Sequence, residues 1–347
     1  MRRADVPGLS AAAALLSASV DDGRIPAAVL EIGTSSGVAG RAAVGVPDDA
    51  CFDLASLTKV LGTGLLATHL CGRRLLDLDM PVRTLMPDWR GADRADVRVR
   101  DLLAHAAGLP AHLPLFERHR GAEALAAASA RAPLACAPRS AAIYSDLGFI
   151  VLGALLAVIT ESRLDEQIHT LLGWLSPAPP RFGPLACTAL VQGTGTSAWR
   201  GRALCGEVHD DNAAAMHGVA GHAGLFGTVG GVGDIARAVL GGVRGAETPI
   251  GPSWVVRAFA RRSPVPGSSR ALAWDTALPT SSCGPRLSAS AIGHTGFTGT
   301  SVWIDPARDL YVVLLTNRVA GRATAADMAD LRRSVHTTIG AAWEGPA

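Results

Sequence analysis

The order of apolar and polar residues predicts strands near both ends of the chain. Apolar stretches at 27–33 and 38–46, joined by turn-forming residues, have the length and composition of a β-hairpin. Residues 291–304 and 310–316 predict two further strands around a second turn. Strands at both ends with helices between them imply one antiparallel sheet flanked by helices.

Helical spacing of apolar residues and helix-ending signals fill most of the middle of the chain. Asp146 is predicted to cap a buried helix. Residues 71–224 therefore predict a mainly helical domain inserted into an α/β sheet domain formed by residues 1–70 and 225–347. The predicted helices are 9–20, 99–107, 120–131, 146–160, one containing Leu164, Ile168 and Leu172, 234–240 and 324–343.

The composition is that of a globular protein with a substantial core, since 48% of the 347 residues are apolar and 18% are charged. Basic residues number 32 and acidic residues 30, and the arginines are scattered, which argues against a nucleic-acid partner. The 13-residue apolar run 147–159 is too short to span a bilayer. Residues 11–16 favour a first amphipathic helix over a signal peptide.

The cysteines are widely spaced and form no Cys-x-x-Cys pair. This spacing predicts mostly buried free thiols in a reducing compartment and neither a disulfide framework nor a zinc site. Together with the N-terminal pattern it favours a cytoplasmic protein. The six cysteines are Cys51, Cys71, Cys136, Cys187, Cys205 and Cys283.

The first candidate for chemistry is Ser56 with Lys59, in the stretch 53–60. In a helix these two side chains would meet on one face, with Ser56 in the first turn, where free N–H groups favour an oxyanion. A serine needs a neighbouring base to become a nucleophile, and a lysine can be that base when its pKa is lowered. Lys59 is the only lysine of the chain. A Ser-x-x-Lys spacing also arises by chance, but the position of the only lysine favours a reactive pair.

A second candidate is Tyr144, one of two tyrosines, followed by Ser145 and Asp146 at the start of a predicted helix. A phenol near an ammonium can pass a proton to a leaving group. The alternative is a half-buried tyrosine beside an ordinary helix cap.

A third candidate is the segment 293–299, which begins at a predicted strand and contains His294, Thr295, Gly296 and Phe297. Its small residues allow a substrate to approach the backbone closely. Taken singly, His294 is more often a packed surface histidine than a site residue.

A further polar cluster contains His209, Asp210, His217 and His222. A metal site and a loop that supplies hydrogen bonds are both open, and the loop is favoured. The sequence has neither a helical His pair nor a Cys pair of the kind that binds zinc, so no metal and no cofactor are predicted.

Together the three candidates resemble the serine β-lactamase and penicillin-binding-protein superfamily, whose signature is Ser-x-x-Lys. The likeness covers residues 26–317 and is greatest to the class C β-lactamase-related group, which includes carboxylesterases, D-alanyl-D-alanine carboxypeptidases and D-aminopeptidases. The segments 101–110 and 221–226 also resemble that group. The resemblance implies a β-lactamase/transpeptidase-like fold.

By this resemblance Ser56 is the nucleophile that forms an acyl-enzyme, Lys59 is its activating partner and Tyr144 is the proton shuttle. The backbone N–H groups of Ser56 and Phe297 would form the oxyanion hole. His294, Thr295 and Gly296 take the place usually written Lys-Thr-Gly.

Two residues depart from the family pattern: Asp146 replaces an Asn, and His294 replaces the Lys of penicillin-recognising members. A mostly neutral histidine attracts a substrate carboxylate less than lysine does. The sequence therefore favours hydrolysis of a small ester over that of a β-lactam. A D-amino-acid peptidase, a weak β-lactamase and a catalytically silent cell-wall-peptide-binding protein are the alternatives. Substrates would be small esters, amides or peptides, and the oligomeric state is not predicted.

Overall fold

The computed structural model describes residues 6–344. Within them the strands are β1 (Ala28–Thr34), β2 (Gly37–Val44), β3 (Phe52–Asp53), β4 (Arg181–Phe182), β5 (Gly193–Ser197), β6 (Arg202–Cys205), β7 (Leu225–Gly227), β8 (Asp275–Thr276), β9 (Ile292–Thr295), β10 (Ser301–Asp305) and β11 (Leu310–Thr316).

The same residues form α-helices along most of the chain, and a π-helix, Lys59–Gly64, runs directly into the second of them. The α-helices are α1 (Leu9–Asp21), α2 (Leu65–Gly72), α3 (Val99–Leu103), α4 (Ala122–Arg131), α5 (Asp146–Thr160), α6 (Leu164–Gly173), α7 (Asp211–Ala215), α8 (Val229–Arg244), α9 (Ser253–Ala260) and α10 (Ala325–Ala342).

Six strands form the main sheet in the order β2, β1, β11, β10, β9, β8, and every pair is antiparallel. Strand β1 therefore lies between its hairpin partner β2 and β11, which is nearly 300 residues later in the chain. The predicted antiparallel sheet built from both ends and flanked by helices is confirmed.

Strands β1 and β11 are buried on both faces, which explains their nearly continuous apolar sequence. Successive side chains of a strand point to opposite faces. Leu30 and Ile32 pack with α1 and α10, whereas Val29 and Val313 belong to the core cluster that includes α8. The sheet thus lies between two helical layers.

Residues 71–224 contain helices α3 to α7 and also the short strands β4 to β6. Strand β4 joins β3 and β7 in a second small sheet, so the middle of the chain is tied to the segment that precedes Ser56. The division into two domains at residues 70 and 225 stays a prediction.

The prediction of one continuous strand over residues 291–304 was wrong. The segment is a hairpin, because β9 and β10 are separated by a turn at residues 296–300. The predicted helix 234–240 is only the centre of the longer α8. The cap of α5 is Ser145, whose Oγ accepts from Gly148 N at 3.2 Å, and not Asp146, which is the first helical residue.

The expectation of free thiols was wrong for two of the six cysteines. Cys187 and Cys205 form a disulfide, while the other four are unpaired. The two cysteines are 18 residues apart, a spacing that does not indicate a pair. They meet only because Cys205 lies at the end of β6, which the fold brings back to Cys187. A disulfide is typical of an oxidising compartment, so the cysteines no longer support the cytoplasmic prediction, which is otherwise untested.

From residue 6 to residue 344 no single helix is long and apolar enough to cross a membrane; only α5 and α6 pass such a test jointly, and they are bent by 81°. The predicted first helix is confirmed as α1. Residues 1–5 lie outside the described residues.

A close backbone approach sets the position of α5 relative to the π-helix. A Cβ on Gly221 would overlap the carbonyl oxygen of Phe149 in α5 and lie 3.1 Å from Gly153 Cα. The Gly221 carbonyl accepts a hydrogen bond from Thr63 Oγ1 of the π-helix at 2.7 Å. Only a glycine at position 221 allows the backbone of Phe149 and that of Gly153 to come so near.

We expect Gly221→Ala to lower the free energy of unfolding by about 1–3 kcal/mol, because the added methyl group forces the backbones apart. Urea denaturation measures the change. Gly148→Ala in α5 is the matched control: its Cβ would meet nothing closer than 3.9 Å. That variant is expected to be neutral or stabilised by up to about 1 kcal/mol. Equal stability of the two variants would contradict the packing argument.

Candidate active site

Ser56 lies in a tight turn between β3 and the π-helix. Ala55 has a φ of 48°, in the left-handed region that costs a residue with a side chain roughly 1–2 kcal/mol. The carboxylate of Asp53 supports the turn by accepting from Ala55 N at 2.8 Å and from His209 N at 2.7 Å. Ser56 therefore directly precedes the helical segment, which begins at Leu57, instead of lying in its first turn as predicted.

Lys59 meets Ser56 as its spacing predicts. Its Nζ lies 3.0 Å from Ser56 Oγ, 2.7 Å from Asp146 Oδ1 and 3.1 Å from the carbonyl oxygen of His222. The side chain is fully buried. Three N–H groups thus have three acceptors, which is the arrangement that satisfies an ammonium.

The charges around Lys59 also favour its protonated form, the ammonium. Burial, the largest influence, lowers the pKa of Lys59, but the Asp146 carboxylate and then Tyr144 outweigh it, so the pKa is raised above its ordinary value. Burial likewise raises the pKa of Asp146, yet the charge of Lys59 and the contact with His112 hold it well below its usual range. A lysine that acts as a base needs a lowered pKa, and burial does not offset the neighbouring carboxylate here.

The ring of Tyr144 lies close to both Lys59 and the ring of His105. The ring centroid is 4.9 Å from Lys59 Nζ and 4.6 Å from the ring of His105. His105 Nδ1 accepts from Ser145 N at 3.0 Å, which fixes the start of α5 beside Tyr144. Tyr144 and Asp146 therefore lie beside Lys59, whereas Ser145 caps α5.

The turn at residues 296–300 is fastened to the backbone just before Ser56. Thr298 Oγ1 donates to Asp53 O at 2.7 Å, and Thr300 Oγ1 donates to Leu54 O at 3.2 Å. A Cβ on Gly296 would lie 2.7 Å from Leu54 O, so glycine is needed for this approach. The two segments, whose bonded residues are 245 and 246 positions apart, form one unit.

This turn brings Phe297 to the cavity that Ser56 also lines. In the described chain neither Ser56 N nor Phe297 N donates a hydrogen bond to a backbone or side-chain acceptor. Free N–H groups on two sides of a seryl oxygen are what an oxyanion hole requires. The arrangement is compatible with the pair of donors that the resemblance implies.

A buried arginine of α10 holds the turn from its other side. Arg332 Nη2 donates to Gly296 O at 2.6 Å and to Thr300 O at 3.0 Å, and its Nε donates to Gly299 O at 3.1 Å. Burial, aided by the charge of Arg318, lowers the pKa of Arg332 to about 9. The last helix thus fixes the site as well as covering the sheet.

His294 is a buried residue of β9, with 3% of its surface exposed, and not a surface histidine. Its Nδ1 lies 2.8 Å from Thr295 O. A carbonyl only accepts, so Nδ1 carries the proton and Nε2 does not. Burial and then the charges of Arg270 and Lys59 hold the pKa of His294 well below its ordinary value, so the ring is neutral at pH 7.

A cavity of about 710 Å³ collects the predicted residues. All of them line it except Lys59, which is fully buried. They are Ser56, Tyr144, Asp146, His294, Thr295, Gly296 and Phe297.

Several residues of the site escaped the sequence analysis. Asp53 belongs to the stretch 53–60, but the sequence gave no reason to assign it a role. Burial, the largest cause, raises the pKa of Asp53 to about 6. His105 and the carbonyl of His222 belong to segments noted only for their resemblance. Arg270 also lines the cavity, with its guanidinium 4.9 Å from the centroid of the Tyr144 ring. An isolated arginine in a loop gives no signal in a sequence.

The polar cluster is mainly a hydrogen-bonding loop. Asp210 caps α7 and contacts His222 Nε2 at 2.8 Å, His209 lines the cavity, and His217 is exposed outside it. The ligand atoms of His112, Asp146 and Asp210 lie within 4.8 Å of one another, close enough to hold a cation. Both carboxylates already have partners, Asp146 with Lys59 and Asp210 with His222, so we assign no metal to them.

An antiparallel sheet between helical layers, with a seryl–lysyl contact beside the turn between β9 and β10, is the architecture of a β-lactamase-fold hydrolase. The chain belongs to the Beta-lactamase family, a family of serine hydrolases: the family model of that description matches residues 12–337. The family resemblance and the fold class predicted from the sequence are thereby confirmed.

One relative is a protein of Salmonella agona named "Putative D-alanyl-D-alanine carboxypeptidase". It is 31% identical over an alignment of 302 residues, and the match covers 77% of this chain and 69% of the relative. A β-lactamase structure from Mycobacterium bovis matches with a TM-score of 0.64 at 19% identity, covering 94% of this chain and 98% of the other. Simvastatin synthase (LovD) from Aspergillus terreus matches with a TM-score of 0.71 at 19% identity, covering 99% and 100%. These structures show the fold alone.

The only lysine allows its pKa to be measured without any assay of activity. We expect protein carrying ¹³Cε-labelled lysine to give one lysine signal, with a titration midpoint above the ordinary 10.5. Asp146→Asn removes the charge that favours the ammonium, so its midpoint is expected to fall by roughly 1–3 pH units. Nuclear magnetic resonance across pH 6 to 12 measures both. Identical midpoints would contradict the ion pair.

Proposed function

We propose that this protein is a serine hydrolase that acts on small esters or amides through an acyl-enzyme on Ser56, with esters favoured. The observation that carries the proposal is the 3.0 Å contact between Ser56 Oγ and Nζ of the only lysine. The cavity beside this contact is large enough for a small acyl donor.

In the first step Ser56 Oγ attacks the carbonyl carbon of the substrate. The carbonyl oxygen becomes an oxyanion, which accepts hydrogen bonds from the backbone N–H groups of Ser56 and Phe297. Such donors, fixed before the reaction, stabilise the transition state where its charge develops. The links from Thr298, Thr300 and Arg332 support this role, because they hold the turn of Phe297 in place.

The proton of Ser56 passes to Tyr144 while the phenol gives its own proton to the leaving-group oxygen, and the bond from carbonyl carbon to that oxygen breaks. Lys59 remains an ammonium that stabilises negative charge on Ser56 Oγ. Water then attacks the acyl-enzyme by the reverse route, which releases the acid and restores Ser56. This assignment is supported by the three acceptors around Nζ, which satisfy an ammonium, and by the raised pKa of Lys59.

The second candidate is a D-alanyl-D-alanine carboxypeptidase, with the same acyl-enzyme formed from a peptide. The name of the Salmonella agona relative supports it. A catalytically silent binding protein is less favoured, because Ser56, Lys59 and Tyr144 are all present and converge.

We expect a fluorophosphonate to add one adduct to Ser56, detected by intact-mass analysis and peptide mapping, and Ser56→Ala to remove both the adduct and the turnover of p-nitrophenyl acetate. Lys59→Arg keeps a charge, but its larger planar group does not fit the three acceptors of Nζ and no longer stabilises the charge on Ser56 Oγ, so turnover is expected to fall by roughly 10²–10³-fold. An adduct at another serine, or unchanged turnover by Lys59→Arg, would contradict the assignment.

Tyr144→Phe tests the proton relay separately. Because the ring is kept and only the hydroxyl is lost, we expect kcat for p-nitrophenyl acetate to fall by roughly 10²–10⁴-fold with little change in KM. Steady-state kinetics with a circular-dichroism control for folding measures this. A kcat within a few-fold of the unmodified protein would assign the proton transfer to another group.

A further inference from the structure

Asp53 is a buried carboxylate that takes no part in the reaction steps proposed above. Only 2% of its surface is exposed, and within residues 6–344 no basic side chain lies at salt-bridge distance from it. Each of its two oxygens instead accepts one backbone N–H group: Oδ1 that of Ala55 and Oδ2 that of His209. Burying a carboxylate without an opposite charge is costly, so these two hydrogen bonds are what retain it.

The first of these contacts fixes the backbone that leads into Ser56. Ala55 has a φ of 48°, a conformation that a residue with a side chain rarely adopts without support. The carboxylate supplies that support, because it ties Ala55 N to the end of strand β3 at 2.8 Å. Ala55 C=O and Ser56 N belong to the same peptide group. The direction of the Ser56 N–H group is therefore set by this turn.

The second contact fixes the loop 207–211, which forms part of the cavity wall. His209 is held at both of its backbone groups: Asp53 Oδ2 accepts from its N–H at 2.7 Å, and its carbonyl accepts from Arg200 Nη2 at 2.8 Å. The ring of His209 in turn lies 5.2 Å from the ring of Phe297. Asp53 thus reaches the segment of Phe297 through the loop.

The main chain of Asp53 reaches the same segment directly. Its carbonyl accepts from Thr298 Oγ1, in the residue after Phe297, at 2.7 Å. Asp53 is therefore bonded to both segments that would supply the oxyanion hole, the turn before Ser56 and the turn at 296–300. Such donors act only when they are fixed before charge develops, and a displacement of about 1 Å can cost roughly 10²-fold in rate.

We infer that Asp53 is a positioning residue that aligns the oxyanion hole, and that it does so only as a carboxylate, because both of its oxygens must accept. The inference rests on the proposed function and adds to it a residue that does not line the cavity. A protonated acid carries a hydrogen on one oxygen and no longer offers two full acceptors. Either the contact with Ala55 or the contact with His209 then weakens, and turnover falls in acid.

The protonation of Asp53 lies in a range where turnover can be measured. Burial, the largest cause, raises the pKa of Asp53 to about 6; its two backbone hydrogen bonds and the charge of Arg200 lower it, and the charge of Asp210 raises it. The Cys51 thiol on the same segment is neutral, because burial raises its pKa to about 11. The turn at 296–300 and strand β7, which also pack against Asp53, contain no titratable side chain.

Activity and stability should then change in opposite directions as the pH falls. The pKa of Asp53 is about 6 in the fold and 3.8 ordinarily, so the folded chain binds this proton more tightly than the unfolded chain does. The contribution of Asp53 to the free energy of unfolding therefore rises as the pH falls from about 6 to about 4. Loss of turnover through Asp53 in this range is not a loss of the fold.

The test is the pH profile of kcat/KM for p-nitrophenyl acetate between pH 4.5 and pH 8.5. We expect the unmodified protein to lose activity on the acid side with an inflection near pH 6. Asp53→Asn keeps the shape of the side chain but has only one acceptor oxygen. Its kcat/KM at pH 8 is expected to fall by roughly 10–10²-fold, through kcat and not KM, and its profile is expected to lose the inflection.

Asp210→Asn is the matched control, since it replaces a neighbouring carboxylate by the same amide. It removes a charge that raises the pKa of Asp53, so the inflection is expected to move to lower pH and not to disappear. Thermal unfolding of each variant from pH 5 to pH 8 shows whether the fold is kept. If Asp53→Asn does not fold, the direction of the shift in Asp210→Asn decides.

Three results would overturn the inference: an unmodified protein with no inflection near pH 6, an inflection that survives in Asp53→Asn, or a kcat/KM of Asp53→Asn within about threefold of the unmodified protein at pH 8. A surviving inflection would belong to another group of the cavity, such as His112. The proposed function is judged separately, by fluorophosphonate labelling of Ser56 in the unmodified protein at pH 8. Labelling without these effects would leave the hydrolase proposal standing and remove Asp53 from it.

Discussion

The buried ion pair between Lys59 and Asp146 is the interaction on which the rest of the site depends. It joins the π-helix after Ser56 to the start of α5, two segments from different parts of the chain. A buried charge is costly unless it is paired and its hydrogen bonds are complete. The carbonyl of His222 and the hydroxyl of Ser56 complete those of Lys59. Serine, lysine and aspartate are therefore held together by the need to satisfy one cation.

The other half of the site is built from backbone contacts. The turn at 296–300 is held by hydroxyl groups on the side of Ser56 and by Arg332 on the side of α10. Neither set of contacts involves a reacting atom. They fix the backbone of the turn, so that its free N–H group is held at the cavity.

The parts that could be predicted from sequence depend on local patterns. Apolar spacing located the hairpin of β1 and β2 and the last helix, and the single lysine pointed to Ser56. The rest depends on contacts between distant segments. The protonation state of Lys59 is decided by the distance to Asp146, the hairpin at 296–300 is hidden in an apolar run, and Arg270 enters the cavity from a loop. The pairing of Cys187 with Cys205 is of the same kind.

The position of β1 between β2 and β11 has a consequence for protein synthesis. A ribosome makes Ser56, Lys59 and Tyr144 long before it makes β11 and Arg332. Until then β1 lacks one of its two neighbours, and the turn of Phe297 does not yet exist. A chain that stops before β8 carries the serine and the lysine but has only β1 and β2 of the six strands of the main sheet. The two halves of the site can therefore come together only after residues 310–332 have been made.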